Sequence, residues 1–283
     1  TPTSYIYTLS LHDALPILFY TGKREYANQS LSDPFLQALA EGGYQVGELA
    51  KLYHPGGTDI DTLDYEEALA DTNALLAEEN ATIYEAAVRY GDLFIRIDVL
   101  EKRGRYLHLI EVKAKSFDPD DRDDFLTRKG YLSSKWTSYL YDVAFQKYVL
   151  THAFPDRVVS SYLMMADKTA LAPTDGLNQK FRIVRGVGRR LRIDVSPDLS
   201  EADLVVPILC KENVDHLVDM IWENRDAETP HPLGFEERIE RYADSYRRDV
   251  KIPPKIGKVC ASCEFRNRSE EHTSELQSRQ SIS

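Results

Sequence analysis

Asp98 and the triplet Glu111-Val112-Lys113 fall within one segment, IRIDVLEKRGRYLHLIEVKAKS, on successive β-rich runs. Strand side chains alternate, so Glu111 and Lys113 project from the same face, and a hairpin can set Asp98 beside them. Two neighbouring carboxylates repel unless a cation lies between them. A divalent ion supplies that charge, and hard oxygen ligands of this kind suit Mg2+ or Mn2+. Lys113 would stand beside the metal, where it could orient or help deprotonate an attacking water and stabilise charge on a phosphate. The outline is that of metal-assisted phosphodiester hydrolysis. The competing reading is a solvated strand face with a surface ion pair, since an Asp followed by Glu-x-Lys recurs by chance. Two features favour the site. Leu109-Ile110-Glu111-Val112 embeds the glutamate in an apolar strand end, where an unpaired carboxylate is costly. Gln146 shares a helical stripe with Tyr139, Val143 and Leu150, so a helix packed across the sheet can present a polar group to the carboxylates.

Positioning these groups requires a sheet with a helix across it. Thr82 to Val88, Leu93 to Lys102 and Tyr106 to Ala114 are β-rich runs separated by Tyr90-Gly91-Asp92 and Arg103-Gly104-Arg105, the pattern of a three-stranded meander. An acidic stretch, Phe117 to Phe125, leads into a helix over about Ser134 to Thr151, with Trp136, Tyr139, Leu140, Val143 and Leu150 on one side. Upstream, Asp33-Pro34 opens a helix that Gly42-Gly43 interrupts, and a second short helix covers Tyr44 to Tyr53. His54-Pro55-Gly56-Gly57 reads as a turn and Leu63 to Asn80 as another helix. Downstream, Val158 to Met165 is a strand, and Phe181 to Val184 pairs with Leu191 to Val195 around Gly186-Val187-Gly188. Leu204 to Leu209 is a short apolar run. Val214, Leu217, Val218, Ile221 and Trp222 keep the spacing of a core-packed helix, and a charged helix covers Phe235 to Val250. There is no internal repeat, so one α/β domain with helical additions at both ends is the economical architecture.

Composition limits the alternatives. The 283 residues are 42% apolar with a formal charge of −11, ordinary for a water-soluble chain. The longest apolar runs, Ala14 to Tyr20 and Leu204 to Cys210, each contain a proline. They fall far short of the roughly 20 residues of a membrane-spanning helix. Three cysteines cannot all pair, and two stand as Cys260-Ala-Ser-Cys263, which argues against a disulfide framework and for metal or cluster ligation. A reducing, cytoplasmic setting is expected. The acidic balance argues against coating of nucleic acid by bulk charge but leaves room for an enzyme with a local basic groove.

The segment around these residues resembles the PD-(D/E)xK nuclease superfamily, in particular its RecB-like branch, which includes the CRISPR-adaptation nucleases. The resemblance runs from about Tyr20 to Phe265 and is strongest from Thr82 to Leu150. It implies a restriction-endonuclease-like α/β core, a mixed sheet flanked by helices, and a DNA substrate with single-stranded or duplex ends. It assigns Asp98, Glu111 and the main-chain carbonyl of Val112 to the metal, with Lys113 and Gln146 completing the catalytic group and Glu85 on the preceding strand assisting. Where the branch often has a Tyr four residues after its Gln, this chain has Leu150, with Tyr148 two residues on. The branch commonly carries a 4Fe-4S cluster, and Cys260 and Cys263 match the start of its C-terminal cysteine trio. The remaining cluster cysteines are absent from this chain.

Tyr7 to Ile17 and Arg268 to Ser278 resemble translated sequencing-adapter sequence. Residues 1–17 and 268–283 are then adapter-derived tails, each with one net negative charge, which leaves the trimmed chain near −9. Between them the expected organisation is a helical region (18–80), the nuclease core (81–166) and a C-terminal α/β extension (167–267) ending in the partial cluster motif. Other candidates carry less. Lys180, Arg182, Arg185, Arg189, Arg190 and Arg192 could line a nucleic-acid groove or equally form an exposed hairpin. His54 matches the upstream metal-binding His of part of the family, but its place beside Pro55-Gly56-Gly57 favours a turn. Asp118 to Asp124 lacks the Gly and closing Glu of an EF-hand loop and reads as a solvated loop. Cys210 reads as a buried core residue. Two other functions remain open: a catalytically inactive nucleic-acid-binding or CRISPR-associated accessory module of the same fold, and a protein whose cluster is the functional centre.

Overall fold

A computed structural model describes residues 34–185 and 191–250. The chain order is α1 (Pro34–Tyr53), β1 (Thr58–Asp59), α2 (Tyr65–Leu76), β2 (Asn80–Tyr90), β3 (Leu93–Arg103), β4 (Tyr106–Phe117), α3 (Thr137–Ala153), β5 (Val158–Asp167), β6 (Phe181–Arg185), β7 (Leu191–Val195), α4 (Glu201–Leu204), β8 (Leu209–Asn213), α5 (Asp215–Trp222) and α6 (Phe235–Arg247). Six strands form a mixed sheet in the order β1-β2-β3-β4-β5-β8, and β6 and β7 form a separate two-stranded ribbon. The expected meander is its centre: β2, β3 and β4 are antiparallel neighbours. Gly91 and Gly104 open the two tight connections, each with φ of 56°, which L side chains resist and hairpin turns require. β5 then runs parallel to β4. That direction requires a crossover, and α3 supplies it.

The sheet is covered on both faces. Along β4, Leu107 and Leu109 join the larger core with Leu140, Val143 and Leu150 of α3, whereas Ile110 joins Leu49 and Ala50 of α1 and Phe181 of β6 in a second cluster. This alternation places Glu111 and Lys113 on the α3 side. The apolar stripe read from the sequence is therefore the face α3 lays on the sheet, with Trp136, Leu140, Val143 and Leu150 all at 0% exposure.

Two local expectations are corrected. Gly42-Gly43 does not interrupt the first helix: α1 is continuous from Pro34 to Tyr53. A helical glycine costs about 1 kcal/mol relative to alanine, and burial of Leu49 and Ala50 between sheet and ribbon outweighs it. The short apolar run from Leu204 to Leu209 joins two elements: α4 ends at Leu204, Val205 and Val206 are exposed, and β8 starts at Leu209. Cys210 is half-buried at the outer strand rather than sealed in the core. Its Sγ donates to the Met165 carbonyl at 3.5 Å, and burial pushes the thiol up to about 11.

The turn after α1 is tied to the sheet by charge. His54, only 9% exposed, places Nδ1 3.1 Å from Glu101 Oε1, while Arg103 and His108 approach the same carboxylate. The hydrogen bond from His54 outweighs desolvation and holds Glu101 at about 2. A depressed carboxylate stabilises the fold above its unfolded value near 4.5 and loses that contribution as pH falls through about 2. Urea denaturation across this acid range should therefore show Glu101→Gln most destabilised relative to the parent above pH 4.5, with the difference shrinking toward pH 2.

Candidate functional site

The β3–β4 ladder closes at Val99 opposite Ile110. The next opposed pair in that register is Asp98 and Glu111. Here the main-chain pairing gives way to a side chain: the Val112 N–H donates to Asp98 Oδ2 at 2.7 Å. The strands part where the carboxylates stand, which opens a notch on the α3 side of the sheet. Glu111, 5% exposed, receives two donors there. Lys113 Nζ lies 2.5 Å from Oε1, and Gln146 Nε2 of α3 donates to Oε2 at 2.7 Å. Four residues expected from sequence to meet, Asp98, Glu111, Lys113 and Gln146, are thus brought together, and Val112 joins them through its main chain.

Glu85 marks the notch from the other side. In the β2–β3 register it lies opposite Asp98, and the ladder skips that pair between Tyr84 opposite Val99 and Ala86 opposite Ile97. Its φ is 55°, in the left-handed region that costs a non-glycine residue energy and is concentrated at functional sites. The β4–β5 register also shifts, between Lys113 and Ser116. Irregular backbone therefore surrounds the carboxylates on three strands.

The electrostatics follow from crowding. Burial first, and then the Glu111 charge, drive the Asp98 carboxyl well above the usual range, with Glu85 adding to the effect. Burial also raises Glu85. Desolvation pulls Lys113 down, but Glu111, Asp98 and Asp142 together outweigh it, so its ammonium is held above the ordinary lysine value. Asp142 is the group sequence reading missed. It sits one turn before Gln146 on α3, and this i, i+4 pairing of polar residues on a core helix is the signal that marks it.

The donor set fits a hard divalent ion. Two crowded carboxylates carry repulsion that a cation would relieve, and the Val112 carbonyl belongs to the same turn of chain. Gln146, 2% exposed, leaves its Oε1 buried with no hydrogen-bond partner, a costly state that a polar guest in the notch would end. Among the described residues no group of three or more His, Cys, Asp or Glu converges as a ready-made metal site. Any ion would therefore rest on Asp98, Glu111 and main-chain or solvent oxygen.

Several other candidates fall elsewhere. His54 engages Glu101, not Asp98 or Glu111, and is a buried anchor instead of a plain turn residue. Lys180 is held by Asp203 at 2.8 Å, and Arg182 lies opposite Asp194 in the β6–β7 ribbon. That ribbon packs on the α1 side, on the other face of the sheet from Gln146. Arg189, Arg190, the Arg185 side chain, Cys260, Cys263 and both tails lie outside the described residues. Asp124 is not simply solvated: it accepts from Trp136 Nε1 at 3.1 Å and pairs with Lys135.

Comparison with known protein families, characterised proteins and solved structures finds no match to this chain. Fold and site together define its class: an α/β protein with a six-stranded mixed sheet flanked by helices, carrying an Asp-Glu-Lys-Gln group at a parted strand pair, with Glu111 and Gln146 buried. Among the described residues no helix is long and apolar enough to cross a membrane.

Because Gln146 is a neutral donor to a buried carboxylate, charging it should be costly. Gln146→Glu is expected to lose about 2 kcal/mol or more at neutral pH. Urea unfolding should show the loss shrinking as pH falls through the carboxylate range.

Proposed function

We propose that this chain is a metal-dependent phosphodiesterase acting on DNA, with a restriction-endonuclease-like core. The observation that carries the reading is the parting of β3 and β4 at Asp98 and Glu111, with Lys113 and Gln146 both directed at Glu111. A surface ion pair needs neither a broken ladder nor a buried amide. The resemblance of the same residues to the PD-(D/E)xK pattern supports the assignment independently of the geometry.

Asp98, Glu111 and the Val112 carbonyl would hold Mg2+ or Mn2+. Such an ion supplies positive charge against phosphate oxygens and makes water a better nucleophile at neutral pH. The chain's own groups do the rest. Lys113, with its ammonium favoured by the surrounding carboxylates, stabilises the negative charge that builds on the phosphoryl oxygens. Gln146 fixes one oxygen of Glu111 through Nε2 and offers Oε1 as an acceptor to orient the attacking water. Asp142 keeps Lys113 cationic and turned into the notch. A 4Fe-4S cluster on Cys260 and Cys263 remains an expectation of the family resemblance alone.

A second reading has one observation in its favour. Lys113 and Gln146 together occupy both oxygens of Glu111, as they would in an inactive nucleic-acid-binding relative where the cation has been replaced by a permanent ammonium.

Metal titration separates the two. For the phosphodiesterase, Mn2+ should stabilise the fold by mass action, by about 2.7 kcal/mol at a hundredfold excess over Kd, which reads as a raised melting temperature, and Asp98→Asn and Glu111→Gln should abolish the shift. Cleavage of labelled DNA should fall by roughly 100-fold or more in Asp98→Ala, Glu111→Ala and Lys113→Ala. Unchanged cleavage in all three would overturn the assignment. No melting shift with intact DNA binding would favour the inactive relative.

A further inference from the structure

Beyond the notch, β4 and the entry to α3 carry a second set of cations that the catalytic group does not use. Lys113 Nζ lies 5.9 Å from the centroid of the Tyr139 ring, and Lys115 Nζ lies 5.1 Å from the same ring. Lys115 is also 5.0 Å from the Trp136 ring, and Lys135 Nζ is 5.0 Å from Trp136 as well. Cations and rings thus alternate in one row that begins at Glu111 and leads away from it. Lys115 follows Lys113 by two residues, so the alternation that sets Glu111 and Lys113 on the α3 side sets Lys115 there too, and its side chain reaches the aromatics at the start of α3.

The platform beneath the row is rigid and apolar. Trp136 is fully buried and packs against Phe117 and Phe125, which stack on each other with centroids 4.8 Å apart. Trp136 cannot stack on a ligand, so its role is to hold the ammonium groups from below. Their neutralisation is unequal. Lys113 is matched by Glu111 and Lys135 by Asp124, whereas among the described residues Lys115 has no carboxylate within ion-pair distance. Desolvation first, and then the neighbouring charge of Lys135, pull the Lys115 pKa down against a smaller opposing pull from Asp124. A half-buried cation whose close contacts are aromatic faces, with no described carboxylate at ion-pair distance, is an incomplete site for an anion.

We infer that Lys115 and Lys135, seated on the Trp136 and Tyr139 rings, bind the phosphodiester backbone of a nucleic-acid strand beside the phosphate that lies at Asp98, Glu111 and Lys113. The inference deepens the proposed function and rests on it for the location of the reacting phosphate. Tyr139 separates the two subsites by one side chain, so an anion at Lys115 is a neighbour of the anion at Lys113 along a chain. A mononucleotide or a small phosphate ester fills only one of them. Backbone contacts of this kind position a strand without reading its sequence. Lys115 and Lys135 are positioning residues here, acting on substrate placement and not on the reacting bond.

The test uses the full chain and a fluorescein-labelled oligodeoxythymidylate in EDTA, so that binding is read without turnover. Lys115→Gln and Lys135→Gln should each weaken binding by roughly 3- to 10-fold and reduce the slope of log affinity against log salt by about 0.7. Lys115→Arg should retain the slope, since the charge is kept. In the presence of Mn2+ the two Gln variants should raise KM for the oligonucleotide with kcat little changed, and hydrolysis of bis-p-nitrophenyl phosphate should remain at the parent rate. Near-UV circular dichroism reports whether the Trp136 cluster survives each substitution. Unchanged affinity and slope in both Gln variants with a native spectrum would overturn the strip, as would an equal loss in Lys115→Arg, which would mark the role as packing. Oligonucleotide binding that depends on Lys115 without any metal-dependent cleavage would support the strip and sink the phosphodiesterase. Cleavage that depends on Asp98 and Glu111 but is indifferent to Lys115 and Lys135 would do the reverse.

Discussion

Everything around the candidate site answers one electrostatic constraint: carboxylates are gathered on adjacent strands in a place largely closed to water. Like charges at short range in a poorly screened setting cost several kcal/mol unless donors or cations meet them. Each neighbouring feature supplies part of that compensation. The Val112 N–H leaves the strand ladder for Asp98, Lys113 and Gln146 each take one oxygen of Glu111, and Asp142 helps hold the ammonium in place. Compensation is incomplete, since Asp98 and Glu85 both have raised carboxyl pKa values. A fold that needed only stability would place apolar side chains here.

The sheet accommodates the constraint by giving up regularity where the charges lie. β3 and β4 pair continuously from the Gly104 turn up to Val99 and Ile110 and then part, β2 takes a left-handed residue at Glu85, and β4 slips against β5 after Lys113. Below this line the strands carry the buried residues Leu100, Leu107 and Leu109, each at 1% exposure or less. α3 spans both sides of this line, with Val143 and Leu150 packed on the core and Gln146 between them at the charges.

Much of the chemistry was legible because it depends on short-range periodicity. Asp98, Glu111 and Lys113 lie on two strands joined by a two-residue turn, so period-two alternation and one hairpin suffice to bring them together. Gln146 is readable from helical spacing, as a polar interruption in an apolar stripe. Asp142 carried a weaker version of the same signal. His54 sits in the turn its neighbours indicate, but its partner, Glu101, is far away in sequence, and no local pattern around Pro55-Gly56-Gly57 reveals that contact. The basic run near Lys180 leaves two readings open in sequence for a related reason: its charge is evident, but which sheet face the ribbon packs on depends on the burial of Phe181 against α1.

The sequence by itself determined the central meander, the helix that crosses it and the residue types at the site, since each follows from repeats of two or 3.6 residues and from turn glycines. Only the tertiary structure decided that α1 runs through Gly42 and Gly43, that β5 lies parallel to β4, that the strands part at the carboxylates, and that among the described residues Lys115 has no carboxylate at ion-pair distance. These outcomes share a physical cause. They are set by competition between distant surfaces for burial and between distant charges for partners, and such competition has no period along the chain.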